Sequence, residues 1–414
     1  MNSERMKILR ITICILAAVC MFFAAALAGS KFWQHEKRQS ADITKLQEEI
    51  FSTEKTKEVF IPEIYQLQSD LGNSLFRQFA ESEGLNAWQK LACRKDISLL
   101  VVGDSIGART WTYDVSEWIE RNYQIRCTIR NLSMGGNTSY GGYVSEKLLE
   151  EETAFDLVIV CYGENDLPEL FARDYEALIR ELYRRNDRCC IISVLESSQR
   201  EYTEKMQQII RFAPYYELCL ADTIEAFDRS GYAYEVLSDD GQHPNEKGGE
   251  IYAETVERVI SEQTADAYKK LHEMILSAFS EQEEIDLAGL TTAGFSKPPL
   301  DQEVITYEAF RYIPSRDFQR INDTDWKIQF EGMSGILGIS RNMCPGINAL
   351  KIYLDDELIY DSGEVNWRLQ YALKTVDRLL PETRLFRGSM RISFGTKEAA
   401  DQFFGIVLTD FTQL

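Results

Sequence analysis

Ser105 stands in Gly103-Asp104-Ser105-Ile106-Gly107, directly after an apolar run. A serine hydroxyl becomes a good nucleophile at neutral pH only with a base beside it. Flanking glycines permit a tight turn and let backbone N–H groups approach an oxyanion closely. A Gly-rich turn between strand and helix also binds phosphate. This one lacks the Gly-Lys-Ser/Thr of a Walker loop and the spacing of a dinucleotide fingerprint. Three histidines are present as candidate bases. His35 sits beside the N-terminal apolar run and His272 in a late helical stretch. His243 lies in the loop Asp240-Gly241-Gln242-His243-Pro244-Asn245, just before a helix. A catalytic His needs a partner to fix its tautomer. Asp240, three residues earlier, can turn back onto the ring. A lone His beside Pro is more often structural; its pairing with an exposed Gly-Asp-Ser turn reverses that preference.

Two more loops carry groups of the right kind. Gly163-Glu164-Asn165-Asp166 follows a strand-like run, and the Asn165 amide can donate to the oxygen of a tetrahedral intermediate. Alone, that segment reads better as an Asn-Asp turn capping a helix. In Asn131-Leu132-Ser133-Met134-Gly135-Gly136-Asn137, the Gly136 N–H can serve as a second donor, although alone this stretch is simply a flexible turn. Trp111 and Tyr113, just past the serine, are candidates to line an acyl groove or stack on a sugar; they suit a core equally well.

The elements that must hold these loops follow an α/β alternation. Strand-like runs occupy 97–102, 125–132, 155–162, 189–195 and 216–220. Helical patterns fall near 114–122, 142–152, 173–186, 199–212 and from 247 into the 260s. Five strands with intervening helices imply a parallel three-layer α/β/α sandwich. Ligands bind beyond the carboxyl ends of such strands, which is where Ser105 and Asn165 would emerge.

These four segments, in this order, resemble the SGNH hydrolases, also called GDSL-type esterases and lipases. Ser105 matches the family's nucleophile, with Ile106 in place of the usual Leu. Gly136 and Asn165 match its oxyanion residues, and Asp240 and His243 match its Asp-x-x-His block. The resemblance covers roughly 95–265. It implies a flavodoxin-like sandwich and a Ser105-His243-Asp240 triad. It also implies an oxyanion hole of the Ser105 and Gly136 N–H groups with the Asn165 amide, and neither metal nor cofactor.

The chain of 414 residues is too long for one ordinary core. We expect an N-terminal anchor or signal at 1–30, a stalk at 31–60 and the esterase domain at 61–278. A linker at 279–303 and a small β-sandwich at 304–414 follow. Residues 8–28 are nearly all apolar and are preceded by Arg5 and Lys7. Their length suits a membrane anchor, while Ala26-Leu27-Ala28 would suit a cleaved signal. Either places the catalytic domain outside the cytoplasm. Nine cysteines show no metal-ligand spacing, and the seven beyond the apolar run read as small buried hydrophobes. The net charge of -21 gives no electrostatic case for nucleic-acid binding.

Export, a following sandwich and the helix approaching the first strand near 88–91 favour an O-acylated, above all O-acetylated, carbohydrate or cell-wall polymer as partner. An O-acetyltransferase would use the same triad, and a lysophospholipase-like esterase would need an apolar groove. From a different class, the sandwich would bind glycan beside an inactive scaffold, with Trp326, Tyr353, Tyr360 and Trp367 as stacking candidates. It could also simply brace the esterase.

Overall fold

Strands β1 (Ile97–Gly103), β3 (Leu157–Cys161) and β4 (Cys190–Leu195) are almost entirely apolar. Parallel strands covered on both faces must read this way. In β2 (Cys127–Asn131) buried and more exposed residues alternate, as befits a sheet edge, and β5 (Cys219–Asp222) closes the other edge. The five pair in parallel in the order β2-β1-β3-β4-β5. The structure is a computed structural model that describes residues 84–147, 149, 154–280, 310–367, 373–380 and 382–414. The anchor and stalk, the start of the expected esterase domain before residue 84 and the linker from 281 onward lie outside those residues. No helix among the described residues is long and apolar enough to cross a membrane.

The connecting helices are α1 (Ala87–Ala92), α2 (Trp111–Tyr123), α3 (Ser139–Lys147), α4 (Pro168–Arg185), α5 (Glu204–Tyr216), α6 (Thr223–Ser230), α7 (Tyr234–Leu237) and α8 (Glu246–Ser280). Helix α4 begins with Pro168, whose fixed φ and missing N–H suit a first turn. Helix α8 packs on α1, α2 and α6. After β1 the chain first builds β2 on one side and then β3 on the other. This makes the carboxyl ends of β1 and β3 the switch point of the sheet. Gly103 pairs with Cys161, so the loops that follow emerge level with each other.

The C-terminal part is antiparallel. Its strands are β6 (Phe310–Pro314), β7 (Gln319–Arg320), β8 (Asp325–Met343), β9 (Gly346–Ile347), β10 (Leu350–Leu354), β11 (Glu357–Asp361), β12 (Asn366–Trp367), β13 (Leu373–Arg378), β14 (Arg384–Phe394) and β15 (Phe403–Gln413). A short helix, α9 (Lys397–Asp401), precedes the last strand. The apolar runs at 326–330 and 336–339, with a Gly- and Ser-containing stretch between them, belong to one long β8. Its first half pairs with β14, and its second half pairs with β13 and β15. Asp355-Asp356 joins β10 to β11 with both residues at positive φ, 47° and 66°, which matches the twist of a tight hairpin.

The two parts share a buried boundary. Val376 of β13 and Val407 of β15 pack into the same cluster as Tyr140, Tyr143, Phe171 and Tyr175 of α3 and α4. At its edge Arg378 forks onto Asp174, with Nη1–Oδ2 at 3.1 Å and Nη2–Oδ1 at 2.9 Å. The guanidinium also lies 4.2 Å over the Tyr140 ring. Burial pushes the Asp174 carboxyl up to about 6, against the pull of Arg378. Arg378→Met therefore leaves a buried carboxylate uncompensated, at a cost of about 3 kcal/mol. Denaturant unfolding at pH 8 should show this loss. At pH 5 it should shrink, because Asp174 is then protonated; an equal loss at both values would contradict the account.

Candidate active site

The nucleophile turn is set by close packing and by a buried side chain. A Cβ on Gly103 would sit 2.8 Å from the Cys161 carbonyl oxygen, so only glycine lets β1 end this near β3. Asp104 is wholly buried. Its N–H donates to the Cys161 carbonyl at 3.0 Å, and its Oδ1 accepts the Ile106 N–H at 2.9 Å. Trp111 Nε1 donates to the Ile106 carbonyl at 2.8 Å. These bonds fold residues 104–107 back on themselves and leave Ser105 part-exposed at the sheet edge. Burial pushes the Asp104 carboxyl well up, and the nearby charges of Asp166 and Glu164 add to the effect. Burial likewise raises Glu196, with the charge of Asp104 adding to it.

His243 reaches this turn from the loop between α7 and α8. Its Nε2 lies 2.8 Å from Ser105 Oγ, and its Nδ1 lies 2.7 Å from Asp240 Oδ2. The other Asp240 oxygen accepts the N–H groups of Gln242 at 2.9 Å and His243 at 2.7 Å. Asp240 thus both shapes the loop and faces the ring. Those backbone donors, with the imidazole, hold its carboxyl well below the usual range although it is largely exposed. Asn245 anchors the next turn: its Oδ1 accepts the Gly248 N–H at 3.1 Å at the start of α8.

Asn165 emerges beside Ser105. Its Nδ2 donates to the Asn137 carbonyl at 3.2 Å and to Asp104 Oδ2 at 3.3 Å, so the amide is aimed across the sheet edge. Gly136 adopts φ of 71° with open space where a Cβ would be. Its positive φ, not crowding, calls for glycine. Asp166 goes beyond shaping its own turn. Its Oδ1 accepts the Ser139 N–H at 2.9 Å and the Ser139 hydroxyl, which ties the Asn165 loop to the start of α3. Burial raises the Asp166 carboxyl to about 6. Neither Asn137 nor this Asp166–Ser139 tie was legible in the sequence, because each acts through a partner more than twenty-five residues away. Asn165→Ala should lower kcat for ester hydrolysis by about 10² to 10³ with little change in KM. Steady-state kinetics on p-nitrophenyl acetate would show it, and a purely KM effect would contradict an oxyanion role.

Of the two aromatic candidates, only Tyr113 is exposed. Trp111 cannot line a groove: it is wholly buried, bonded to the turn and packed 5.4 Å from the Tyr252 ring centroid. It braces the nucleophile turn from beneath. In the C-terminal part, Trp326 donates to the Ala400 carbonyl and lies under Arg320, while Tyr353 lies under Arg391. Tyr360 packs on the core, and the Trp367 side chain lies outside the described residues. His272 stacks on Tyr268 within α8, and His35 lies outside the described residues. The seven described cysteines are free thiols. Among the described residues no cluster of three or more His, Cys, Asp or Glu side chains is arranged to hold a metal.

No protein-family model matches the sequence, and no curated protein matches it. Among solved structures, the chain is similar to a two-domain esterase active on acetylated mannans. The identity is 16%, the TM-score 0.55, and the match covers 77% of this chain and 93% of the other. A second structure of such an esterase, co-crystallised with mannopentaose, gives 16% identity, a TM-score of 0.53 and coverage of 77% and 92%. The likeness is one of fold. It takes in both the parallel sheet and the antiparallel part, since neither alone makes up that share of the chain. The fold expected from the resemblance to SGNH hydrolases is the fold found.

Proposed function

We propose that this chain is a serine esterase that removes O-acyl groups, above all O-acetyl groups, from carbohydrate or cell-wall polymer. The observation that carries this reading is the hydrogen-bonded line from Ser105 Oγ through His243 to Asp240, at 2.8 and 2.7 Å. In the proposed cycle His243 Nε2 takes the Ser105 proton as Oγ adds to the ester carbonyl. The oxyanion sits against the Ser105 and Gly136 N–H groups and the Asn165 amide, which gives up its 3.3 Å bond to Asp104 to reach it, each donor worth about 3 kcal/mol of barrier. The tetrahedral intermediate collapses, and His243 hands the proton to the departing sugar oxygen. Water then attacks the acyl-enzyme with His243 again as base, releasing acetate and free Ser105. Asp240 keeps the Nδ1 proton in place throughout.

The substrate class is supported by the fold shared with an esterase active on acetylated mannans, and it agrees with reading the apolar, basic-led N-terminal segment as a membrane anchor or an export signal. Residues 8–28 would anchor the chain with its catalytic part on the outer side of the membrane. The test uses the full-length chain in detergent on p-nitrophenyl esters of rising chain length and on O-acetylated mannan, xylan and peptidoglycan, with acetate release as readout. Fastest turnover of the acetyl ester and acetate from a polysaccharide are expected. Preference for long acyl chains would move the substrate to lipid. Transfer of acetyl to an added sugar without free acetate would identify a transferase.

A further inference from the structure

The His243 loop raises a physical problem that its own residues do not solve. Asp240 has a side chain that is 54% exposed, and the loop runs over the surface. Water competes for every bond that keeps the imidazole aimed at Ser105, and a catalytic group displaced by about 1 Å can lose 10² in rate. Rigidity must therefore come from neighbours. Two contacts supply it. Gln242, the residue between Gly241 and His243, donates through Nε2 to Glu164 Oε1 at 2.9 Å. Glu164 Oε2 accepts in turn from Gln199 Nε2 at 2.7 Å. Gln199 is itself fixed, since its Oε1 accepts the Thr203 hydroxyl at 3.2 Å. From the other side Arg200 donates to the Gly241 carbonyl at 2.7 Å, with its guanidinium 4.2 Å over the Tyr234 ring.

We infer that Glu164 is a positioning residue that locks the His243 loop to the oxyanion loop, with Arg200 as the second clasp. This rests on the esterase reading above. Glu164 directly precedes Asn165, and the carbonyls of Gly163, Glu164 and Asp166 all receive Lys205 Nζ, so its backbone is pinned. One carboxylate thus spans both halves of the site. Proton transfer is served by Gln242 on one side of it, and oxyanion binding by Asn165 on the other. Each residue of the loop is held by a different bond: Asp240 by the backbone N–H groups, Gly241 by Arg200, Gln242 by Glu164, and His243 by Asp240.

The test compares wild type with Glu164→Ala, Glu164→Gln, Gln242→Met and the Glu164→Ala/Gln242→Met double variant in the full chain. Glu164→Ala should lower kcat on p-nitrophenyl acetate about 10- to 100-fold at nearly constant KM. Glu164→Gln keeps a carbonyl for Gln242 and should recover most of the rate. The double variant should be no slower than Glu164→Ala, because both changes cut the same bond. The far-downfield proton signal of the His243–Asp240 hydrogen bond should broaden or vanish in Glu164→Ala while the unfolding midpoint stays near that of wild type. A kcat within twofold of wild type, an unchanged downfield proton, or additive single losses would each overturn the inference. If wild type and Ser105→Ala hydrolyse the ester equally, the esterase reading fails instead. The downfield signal then still reports whether Glu164 holds the loop.

Discussion

Ser105→Ala should abolish ester hydrolysis, lowering kcat by at least about 10⁴-fold while leaving the thermal unfolding midpoint unchanged. The two halves of this expectation have separate causes. The turn does not depend on the Ser105 side chain. Asp104 closes it from within, Trp111 Nε1 holds the Ile106 carbonyl, and the Asp104 N–H is bonded to β3. Removing one part-exposed hydroxyl leaves all of these bonds in place. Chemically, the variant loses the atom that must form the acyl bond. His243→Ala should cost about as much, and the double variant no more than either, because the pair acts as one unit. The measurement is a stopped or continuous p-nitrophenol assay on purified variants, beside circular-dichroism melts. Residual activity above a few per cent in Ser105→Ala would mean that another group attacks the ester, and would sink the assignment.

The parts of this protein that could be read in the sequence are those whose signal is local. β1, β3 and β4 were legible because strands covered on both faces are continuous apolar runs. Their parallel order alone places Ser105 and Asn165 at one edge of the sheet. The Asp240–His243 spacing was legible because a three-residue step can fold a carboxylate onto its own ring. What the sequence leaves open is non-local. Trp111 reads equally well as a groove or a core aromatic because its two partners, the Ile106 carbonyl and Tyr252, are set by how the turn and α8 pack. The β8 strand looked like two strands because Glu331-Gly332-Met333-Ser334-Gly335 interrupts its apolar pattern. Its backbone runs on through that stretch because it is paired there on both edges, with β14 on one, which β13 follows, and with β15 on the other. At Gly335 a Cβ would meet the Thr409 carbonyl at 2.9 Å, so the glycine that reads as a break is what lets β15 come close. β13 escaped notice because Lys374, Asp377 and Arg378 mask its alternation. Arg378 finds its partner, Asp174, only across the boundary between the two sheets.

Asp240→Asn should be more damaging than Asp240→Ala, which is the reverse of what side-chain similarity suggests. In Asp240, Oδ1 takes two backbone N–H groups and Oδ2 faces His243 Nδ1. Asparagine will keep its carbonyl on the two backbone donors, since its amide nitrogen cannot accept them. Its NH₂ then points at Nδ1. Nδ1 must become the acceptor, so the ring proton moves to Nε2, facing Ser105 Oγ. A ring protonated there cannot take the serine proton, and kcat should fall about 10⁴-fold with little change in fold or KM. Alanine has no such donor. Because the Asp240 site is largely exposed, water can accept the Nδ1 proton and leave a working tautomer, at the cost of a looser loop. Its loss should therefore be smaller and should fall on kcat and stability together. The depressed carboxyl of Asp240 adds a second expectation: the wild-type carboxylate stays ionised throughout the working range and adds no acid limb of its own to the rate profile. Steady-state kinetics on both variants, with nitrogen chemical shifts of the His243 ring to read the tautomer, decide the matter. An Asn variant as active as wild type, or an unchanged tautomer, would mean that Asp240 shapes the loop and does nothing for the proton.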